Sequence, residues 1–183
     1  MSQLTPVRQK IRFQDRPRRS LDEHIYARFP AIAHYLAARV ARLPPSSRLR
    51  QRLLARSVSR GFAANKRRDV EFLLVAFYDP DVEWHGTIGG LDEGRLARGH
   101  QEVMRGFDEY YAAWERLDLR PEEIIDTGQD LIVLVHEVAR GRKSGVVVET
   151  DTATVSTFRD GMIVRVRGFM DQQEAFEAAG LSE

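Results

Sequence analysis

Glu137 is the residue whose type and position point most directly to chemistry. It follows Val133 and Val135 on one side of the alternating segment Leu131–Val138, which predicts a strand with an acid on an otherwise apolar row. A carboxyl group in such a row acts as a proton acceptor or ligand anchor, because lost hydration raises its pKa. The alternative is a strand-end glutamate that reaches solvent or pairs with Arg140.

Aromatic residues form a second group with potential for ligand binding. Tyr110, Tyr111 and Trp114 follow helical spacing in the segment His100–Leu117, and Trp84 lies in a short alternating segment. These side chains either form an aromatic cage around an apolar ligand or belong to the ordinary core.

Metal and cofactor chemistry finds little support in the sequence. The chain has no cysteine, which excludes disulfides, thiolate metal sites and cysteine nucleophiles. His85, His100 and His136 lack the spacing of metal ligands, and no glycine-rich phosphate loop follows a strand. We therefore expect neither a metal nor a cofactor.

The charge is divided unequally along the chain. Residues 1–60 hold 14 basic and three acidic residues, a net charge of +11, whereas the remaining residues carry −10. The basic part either contacts an acidic partner, such as nucleic acid or an anionic membrane, or folds back on its own acidic body. We favour packing on the body or on a second subunit, because this part contains no recognised DNA-binding motif. The amino terminus lacks an apolar core after its basic residues, and the apolar runs are short, so a cytoplasmic protein is expected.

The elements that must position these residues fall into three parts. Residues 1–20 read as a flexible basic tail, and residues 21–56 as a helical extension with a single apolar stripe. Pro30 divides that extension into two short helices or kinks one helix. In residues 57–183, further helices precede antiparallel hairpins, and this order predicts an α+β domain.

Seven short segments in order resemble the SnoaL-like members of the nuclear transport factor 2-like superfamily. They run from about Ser57 to Leu181 and include Tyr78–Trp84, Arg98–His100, Glu122–Asp126, Gly141–Gly145, Arg159–Val164 and Glu174–Leu181, after a first segment Arg60–Ala64 with Arg68–Asp69. The resemblance implies a cone-shaped, curved antiparallel sheet wrapped around helices, an α+β roll with a pocket at its open end. It also implies a homodimer formed through the outer face of the sheet.

The catalytic residues of known relatives are not found at the matching positions. The general base of ketosteroid isomerase corresponds to Trp84, and its two oxyanion donors correspond to Gly61 and Thr154. The aspartate of the polyketide cyclases falls near Gly168. The resemblance therefore carries the fold, and the enzymatic activity stays open.

Alternation and the resemblance together predict which side chains line the pocket. Besides Glu137 as the catalytic candidate, the predicted lining consists of Trp84, Tyr110, Trp114, Val135, Thr154, Ser156, Phe158, Val166 and Met170. We expect a protein that binds a small apolar molecule there. The alternative is a non-catalytic interaction module whose basic amino-terminal helices dock on a protein, a nucleic acid or an anionic surface.

Two packing expectations complete the sequence-based picture. The apolar stripe of the helical extension should pack inward through Ile25, Phe29, Ile32, Leu36 and Leu53. The outer row of the sheet should remain partly exposed in a monomer and form the dimer face, through Val155, Arg165, Arg167 and Phe169.

Overall fold

The computed structural model describes residues 5–90 and 92–181. Within them, the strands are β1 (Val7–Lys10), β2 (Tyr78–Ile88), β3 (Leu96–Arg98), β4 (Trp114–Asp126), β5 (Asp130–Gly141), β6 (Val147–Arg159) and β7 (Met162–Phe169). The helices are α1 (Leu21–Arg28), α2 (Pro30–Ala41), α3 (Arg48–Lys66), α4 (Val70–Phe77), α5 (Gly99–Ala113) and α6 (Gln172–Ala178).

The strands form one curved, open sheet in the order β1-β4-β5-β6-β7-β2-β3. The predicted α+β fold with a curved sheet around helices is confirmed. One pair departs from the antiparallel pattern, because β2 runs parallel to β7, with Trp84 opposite Val166. The chain leaves β2, forms the other half of the sheet and returns through β7, so this pair is not joined by a hairpin.

Helices cover both faces of the sheet. On one face, α3 packs against Leu131, Val133 and Val135 of β5, and α5 packs through Val103 and Phe107 against β2. On the other face, α6 packs through Ala175 over a second apolar row that includes Ile132, Leu134, Val155 and Phe169. Successive side chains of β5 thus point to opposite faces of the sheet and pack in two separate cores.

Local capping explains where the amino-terminal helices begin. Ser20 and Glu23 form a capping box at α1, and the Ser47 hydroxyl accepts a hydrogen bond from the Arg50 amide at α3. Pro30 is the first residue of α2 and follows Phe29, which ends α1. Of the two alternatives for this segment, the structure has two helices.

The first residues are more ordered than a flexible tail. Val7–Lys10 pairs with β4, Arg8 contacts Glu123 at 3.3 Å, and Ile11 packs beside α3. The prediction of a flexible tail over residues 1–20 is therefore wrong for this segment, because β4 offers an edge that a short extended segment can pair with. Residues 1–4 lie outside the described residues.

The basic part of the chain folds back on the acidic body. Arg19 binds Asp69 through two hydrogen bonds of 2.5 and 2.6 Å, and Arg50 contacts Asp126 at 2.6 Å. This is the second of the two alternatives for the charge asymmetry. Several other arginines of α1–α3 remain exposed, so the outer surface of these helices is basic.

The apolar stripe of the helical extension does not pack as expected. Ile25, Phe29, Ile32 and Leu36 are 44–53% exposed, whereas Leu53 is half-buried. The inward contacts of α1 and α2 come from smaller or polar residues on the opposite side of each helix. The prediction is wrong for these four residues because helical spacing identifies an apolar face without saying which way it points.

The two apolar members of the outer row are not left exposed either, whereas Arg165 of the same row is exposed. Val155 and Phe169 are at most 2% exposed, because α6 lies over them with Ala175 and Phe176. This removes the exposed apolar row on which the expected dimer face was based, although homodimerisation itself stays a prediction. Among the described residues, no helix is both long and apolar enough to cross a membrane.

Candidate ligand site at Tyr110 and Glu137

A hydrogen bond between Tyr110 and Glu137 defines the candidate site. The Tyr110 hydroxyl, in the last turn of α5, donates to Oε1 of Glu137 over 2.9 Å. Glu137 lies on β5 between Leu119 of β4 and Thr150 of β6, as the strand register shows. A phenol and a carboxyl group are thereby held together where helix and sheet meet.

The surroundings shift both groups toward their neutral forms. Burial raises the pKa of Glu137, and the hydrogen bond from Tyr110 offsets part of that rise. Burial also raises the pKa of Tyr110, and the nearby Glu137 carboxylate raises it further. Tyr110 therefore keeps its proton and serves as a donor, while Glu137 is the group that accepts protons.

Of the strand-end alternative, the pairing of Glu137 with Arg140 is not formed, but the Glu137 side chain is only half-buried and still reaches solvent in part. Arg140 instead lies 3.3 Å from Glu115 across the edge of the sheet. The hydroxyl that compensates the Glu137 carboxylate is that of Tyr110. The missed signal was the side of α5 on which Tyr110 lies, since Val103 and Phe107 on that side face the sheet.

The aromatic residues form a chain of contacts beside this pair. The Trp84 ring lies edge-on to Phe107 with centroids 5.0 Å apart, and Tyr110 lies edge-on to Trp114 at 6.4 Å. Trp114, expected on a helix, is instead the first residue of β4. Trp84 and Tyr110 thus belong to the core around α5, and Trp114 extends this chain toward the surface.

The remaining predicted lining residues fall into other surroundings. Val135 and Phe158 pack in the cluster beneath α3, and Ser156 pairs with Val166 on adjacent strands. Thr154 pairs with Gly168, two residues along the same strands from that pair. Met170 follows the end of β7, is 37% exposed and approaches Gly89. The structure brings Tyr110, Trp114 and Glu137 together and connects Trp84 to them only through Phe107 and Tyr111. It does not bring the whole predicted set into one pocket.

A groove of about 390 Å³ opens next to Trp114. Its lining among the described residues includes Trp114 and none of the other predicted pocket residues, and consists of Asn65, Lys66, Arg68, Tyr111, Trp114, Glu115, Arg116, Leu117, Asp118 and Arg120. Sequence reasoning missed Arg68, which adopts φ +59° and lies 5.2 Å over the Tyr111 ring. The groove thus has an aromatic floor and a charged rim.

Metal binding receives no support from the part of the chain that is described. Residues 5–90 and 92–181 contain no group of three or more histidine, aspartate or glutamate side chains arranged to hold an ion. His136, the most closely surrounded histidine of the outer face, contacts Asp151 and Glu149.

Comparison with solved structures identifies the same fold in other proteins. The structure of TerC co-crystallised with polyporic acid matches with 24% identity and a TM-score of 0.56, covering 67% of this chain and 94% of that one. A nuclear transport factor 2-like protein of unknown function from Burkholderia pseudomallei gives 25% and 0.57, covering 67% and 93%. A hypothetical protein with a ketosteroid isomerase-like fold from Catenulispora acidiphila, in complex with trimethylamine, gives 13% and 0.55, covering 68% and 92%.

The sequence itself also matches a known family. A comparison with curated proteins gives no match. The model of the SnoaL-like domain matches residues 58–166, which is more than half of the chain. The match begins within α3 and ends within β7, so it contains α5, β5 and the Tyr110–Glu137 pair. The chain therefore belongs to the SnoaL-like domain family of the nuclear transport factor 2-like superfamily.

Proposed function

We propose that this protein binds a small apolar molecule at the aromatic end of the sheet, with Glu137 as the proton acceptor for that molecule. The observation that carries the proposal is the 2.9 Å hydrogen bond from Tyr110 to Glu137. The half-buried Glu137 carboxyl group has a neutral phenol as its hydrogen-bond partner, and no ion pair of Glu137 occurs among the described residues. Such a pair supports binding of an uncharged ligand that carries a hydroxyl or carbonyl group.

The two side chains have complementary roles in this proposal. Glu137, whose pKa is raised by burial, takes a proton from carbon or oxygen of the ligand. Tyr110, whose pKa is also raised, stays protonated. When the ligand binds, its single O–H turns from Glu137 to a ligand oxygen on which negative charge develops. An acceptor and a donor side by side are the minimum for moving a proton within a bound molecule.

The aromatic neighbours supply the apolar part of the binding site. Trp114 lies edge-on to Tyr110, and Phe107 connects Trp84 to Tyr111, the ring next to Tyr110. The groove beside Trp114 opens next to these rings. Small-molecule sites typically combine such apolar walls with a few polar groups that set orientation.

The fold is compatible with this proposal and leaves the ligand open. Polyporic acid and trimethylamine are bound by two proteins of similar structure, TerC and the Catenulispora protein. At 24% and 13% identity, these two relatives indicate the fold and say nothing of this chain's ligand. Tyr110 and Glu137 do not correspond to the catalytic positions of ketosteroid isomerase. Those positions are occupied here by Trp84, Gly61 and Thr154.

The test measures ligand binding through the change in tryptophan fluorescence. Purified protein is first analysed by native mass spectrometry for a retained small molecule, and then titrated with 2-naphthol as an apolar probe with one hydroxyl group. We expect saturable quenching of tryptophan emission, weakened about tenfold or more in Glu137→Gln and Tyr110→Phe, which corresponds to about 1.4 kcal/mol. Glu177→Gln, on the exposed side of α6, is the matched control and should bind as the wild type does.

Two results would contradict the proposal. Absence of both a retained molecule and saturable quenching would remove the binding site. Equal affinity of the wild type and both site variants would place binding elsewhere in the molecule.

A further inference from the structure

The outward sides of α1 and α2 form an exposed apolar surface, which we call the arm face. Its members are between 44% and 85% exposed, and they are Leu21, Ile25, Phe29, Ile32, Tyr35 and Leu36. At 100° per residue, positions 32, 35, 36 and 39 occupy one side of α2, and positions 21, 25 and 28 occupy one side of α1. An apolar patch of this extent on a folded chain marks an interaction site.

The arm face cannot turn inward, because the opposite sides of both helices are already occupied. Tyr26 and Ala27 of α1 pack against the α3–α4 core, and Ala33 of α2 is buried. His34 is hydrogen-bonded to the Val75 carbonyl over 2.8 Å. Rotating either helix to hide the arm face would break these contacts, so the exposed orientation is the one that the fold stabilises.

The chain that carries the arm face is strongly basic. Between Glu23 and Asp69 the sequence has 11 arginine and lysine residues and neither aspartate nor glutamate. Arg28 lies 5.3 Å over the Phe29 ring and Arg39 lies 5.8 Å over the Tyr35 ring. These two guanidinium groups therefore flank the apolar side chains directly.

The acids that precede this segment are turned away from it. Glu23 is fully buried and contacts Arg67 at 3.3 Å, and Asp22 forms an ion pair with Arg60. Both contacts join α1 to α3 on the inner side. The arm face thus combines exposed apolar and cationic side chains, with no acid of its own helices beside it.

We propose that the arm face binds the surface of an anionic lipid bilayer, with α1 and α2 lying in the plane of the interface. The apolar side chains would enter the boundary between headgroups and acyl chains. Arg28 and Arg39 would extend to the lipid phosphates along the aromatic rings on which they now lie. A bilayer of this kind offers both an apolar layer and negative charge at the same surface, which is what the arm face matches.

Two other occupants match only one of these properties. A second copy of the chain would cover the apolar residues, but it would bring Arg28 and Arg39 of both copies together without an acid to pair with them. A nucleic acid would neutralise the arginines and leave Phe29, Ile32 and Leu36 in water. Charge complementarity therefore favours the bilayer, and this inference does not depend on ligand binding at Glu137.

The experiment is co-sedimentation of the full chain with vesicles. Vesicles of phosphatidylcholine with 30% phosphatidylserine are compared with pure phosphatidylcholine, each at 0.1 M and 0.5 M NaCl. We expect binding to the anionic vesicles at low salt, and at least tenfold weaker binding to the neutral vesicles or at high salt.

Paired variants assign the binding to a surface. Ile32→Ser with Leu36→Ser should reduce binding to anionic vesicles at least tenfold, because both side chains are exposed in α2. Val146→Ser with Val147→Ser is the matched control, since these valines are 58% and 61% exposed on the β5–β6 hairpin. Circular dichroism of both double variants checks that the fold is kept.

Four outcomes would overturn the inference. The first two are no binding to anionic vesicles and an equal loss of binding in the control variant. The third is salt-sensitive binding of a 20-nucleotide RNA without vesicle binding, and the fourth is self-association without vesicle binding that Ile32→Ser with Leu36→Ser abolishes. The last two would assign the arm face to nucleic acid or to a second copy.

Discussion

The Arg50 guanidinium on α3 holds the Asp126 carboxylate at the end of β4 through two hydrogen bonds of 2.6 and 2.8 Å. Its other N–H groups donate to the carbonyls of Ala41, Leu43 and Gly128 over 2.8–3.1 Å. Arg50 thus uses all five donors, and both charged side chains are at most 8% exposed. This contact joins the end of the helical extension to the sheet that carries Glu137.

Arg50→Ala should lower the free energy of unfolding by about 3–5 kcal/mol. The reason is that Asp126 would remain buried with its charge uncompensated, and three carbonyl groups would lose a donor. Urea denaturation followed by circular dichroism measures the change. Arg52→Ala, on the exposed side of the same helix, should change stability by less than about 0.5 kcal/mol. A loss of the same size in both variants would show that the Arg50–Asp126 contact contributes little.

Local signals in the sequence predicted several elements correctly. The Asp160–Gly161 pair forms the β6–β7 turn with φ values of +51° and +82°, as residues tolerant of positive φ should. Asp69, a residue type favoured before helices, immediately precedes α4, although its carboxylate binds Arg19 and makes no cap hydrogen bond. Turn and boundary positions depend mainly on neighbouring residues, which is why they can be predicted without the fold.

Features that depend on distant contacts were not predictable in this way. The pairing of Val7–Lys10 with β4 and the bond between Tyr110 and Glu137 join residues far apart in the sequence. Helical spacing identified the stripe of α1 and α2 but not its direction. That direction follows from Tyr26 and His34, whose contacts with α3 and α4 exist only in the folded chain.

Gly161→Ala should destabilise the protein more than a change of turn conformation alone would. A Cβ at Gly161 would lie 2.4 Å from the Ala37 carbonyl carbon in α2, and φ is already +82°. Gly94→Ala is the matched control, since φ is +79° there and nothing lies within 4 Å of the added atom. We expect the free energy of unfolding to fall by about 1–2 kcal/mol in Gly94→Ala, and by about 1–3 kcal/mol more in Gly161→Ala.

Thermal unfolding of the two glycine variants separates the backbone cost from the packing cost. Equal melting temperatures would mean that α2 does not approach the β6–β7 turn as closely as the structure has it. A much lower melting temperature for Gly161→Ala would support the contact that holds the arm helices against the sheet.

His136 should titrate above its usual pKa of about 6.5. The Asp151 carboxylate, 2.8 Å from Nδ1, raises the pKa of His136, and Glu149 at 3.3 Å from Nε2 adds to this. Because the pKa is raised in the folded state, the stabilisation is complete below the unfolded value and disappears as the pH rises through the folded one. NMR of the imidazole protons measures the titration.

Asp151→Asn should lower the His136 pKa toward its usual value and flatten the dependence of the melting temperature on pH in that range. Asp160→Asn, in the β6–β7 turn, should leave the titration unchanged. If the His136 pKa were the same in the wild type and in Asp151→Asn, the pair on the outer face would not form in solution.

The Glu137 carboxyl should titrate above the value of an exposed glutamate, because burial raises its pKa. Tyr110→Phe removes the hydrogen bond that stabilises the charged form, so the Glu137 pKa should rise further in this variant. Tyr111→Phe is the matched control, since the neighbouring Tyr111 hydroxyl donates to the Asn65 carbonyl over 3.2 Å and not to Glu137. Carbon-13 NMR of labelled glutamate carboxyl groups gives the Glu137 pKa in the wild type and in the two tyrosine variants, with Glu137→Gln identifying the signal.

A raised pKa of Glu137 in the folded state also affects stability. The free energy of unfolding should fall as the pH rises from the pKa of the unfolded state through that of the folded state, and Glu137→Gln should lack this fall. If the pKa were equal in Tyr110→Phe and Tyr111→Phe, Tyr110 would not be the donor to Glu137, and the proton-accepting pair would have to be abandoned.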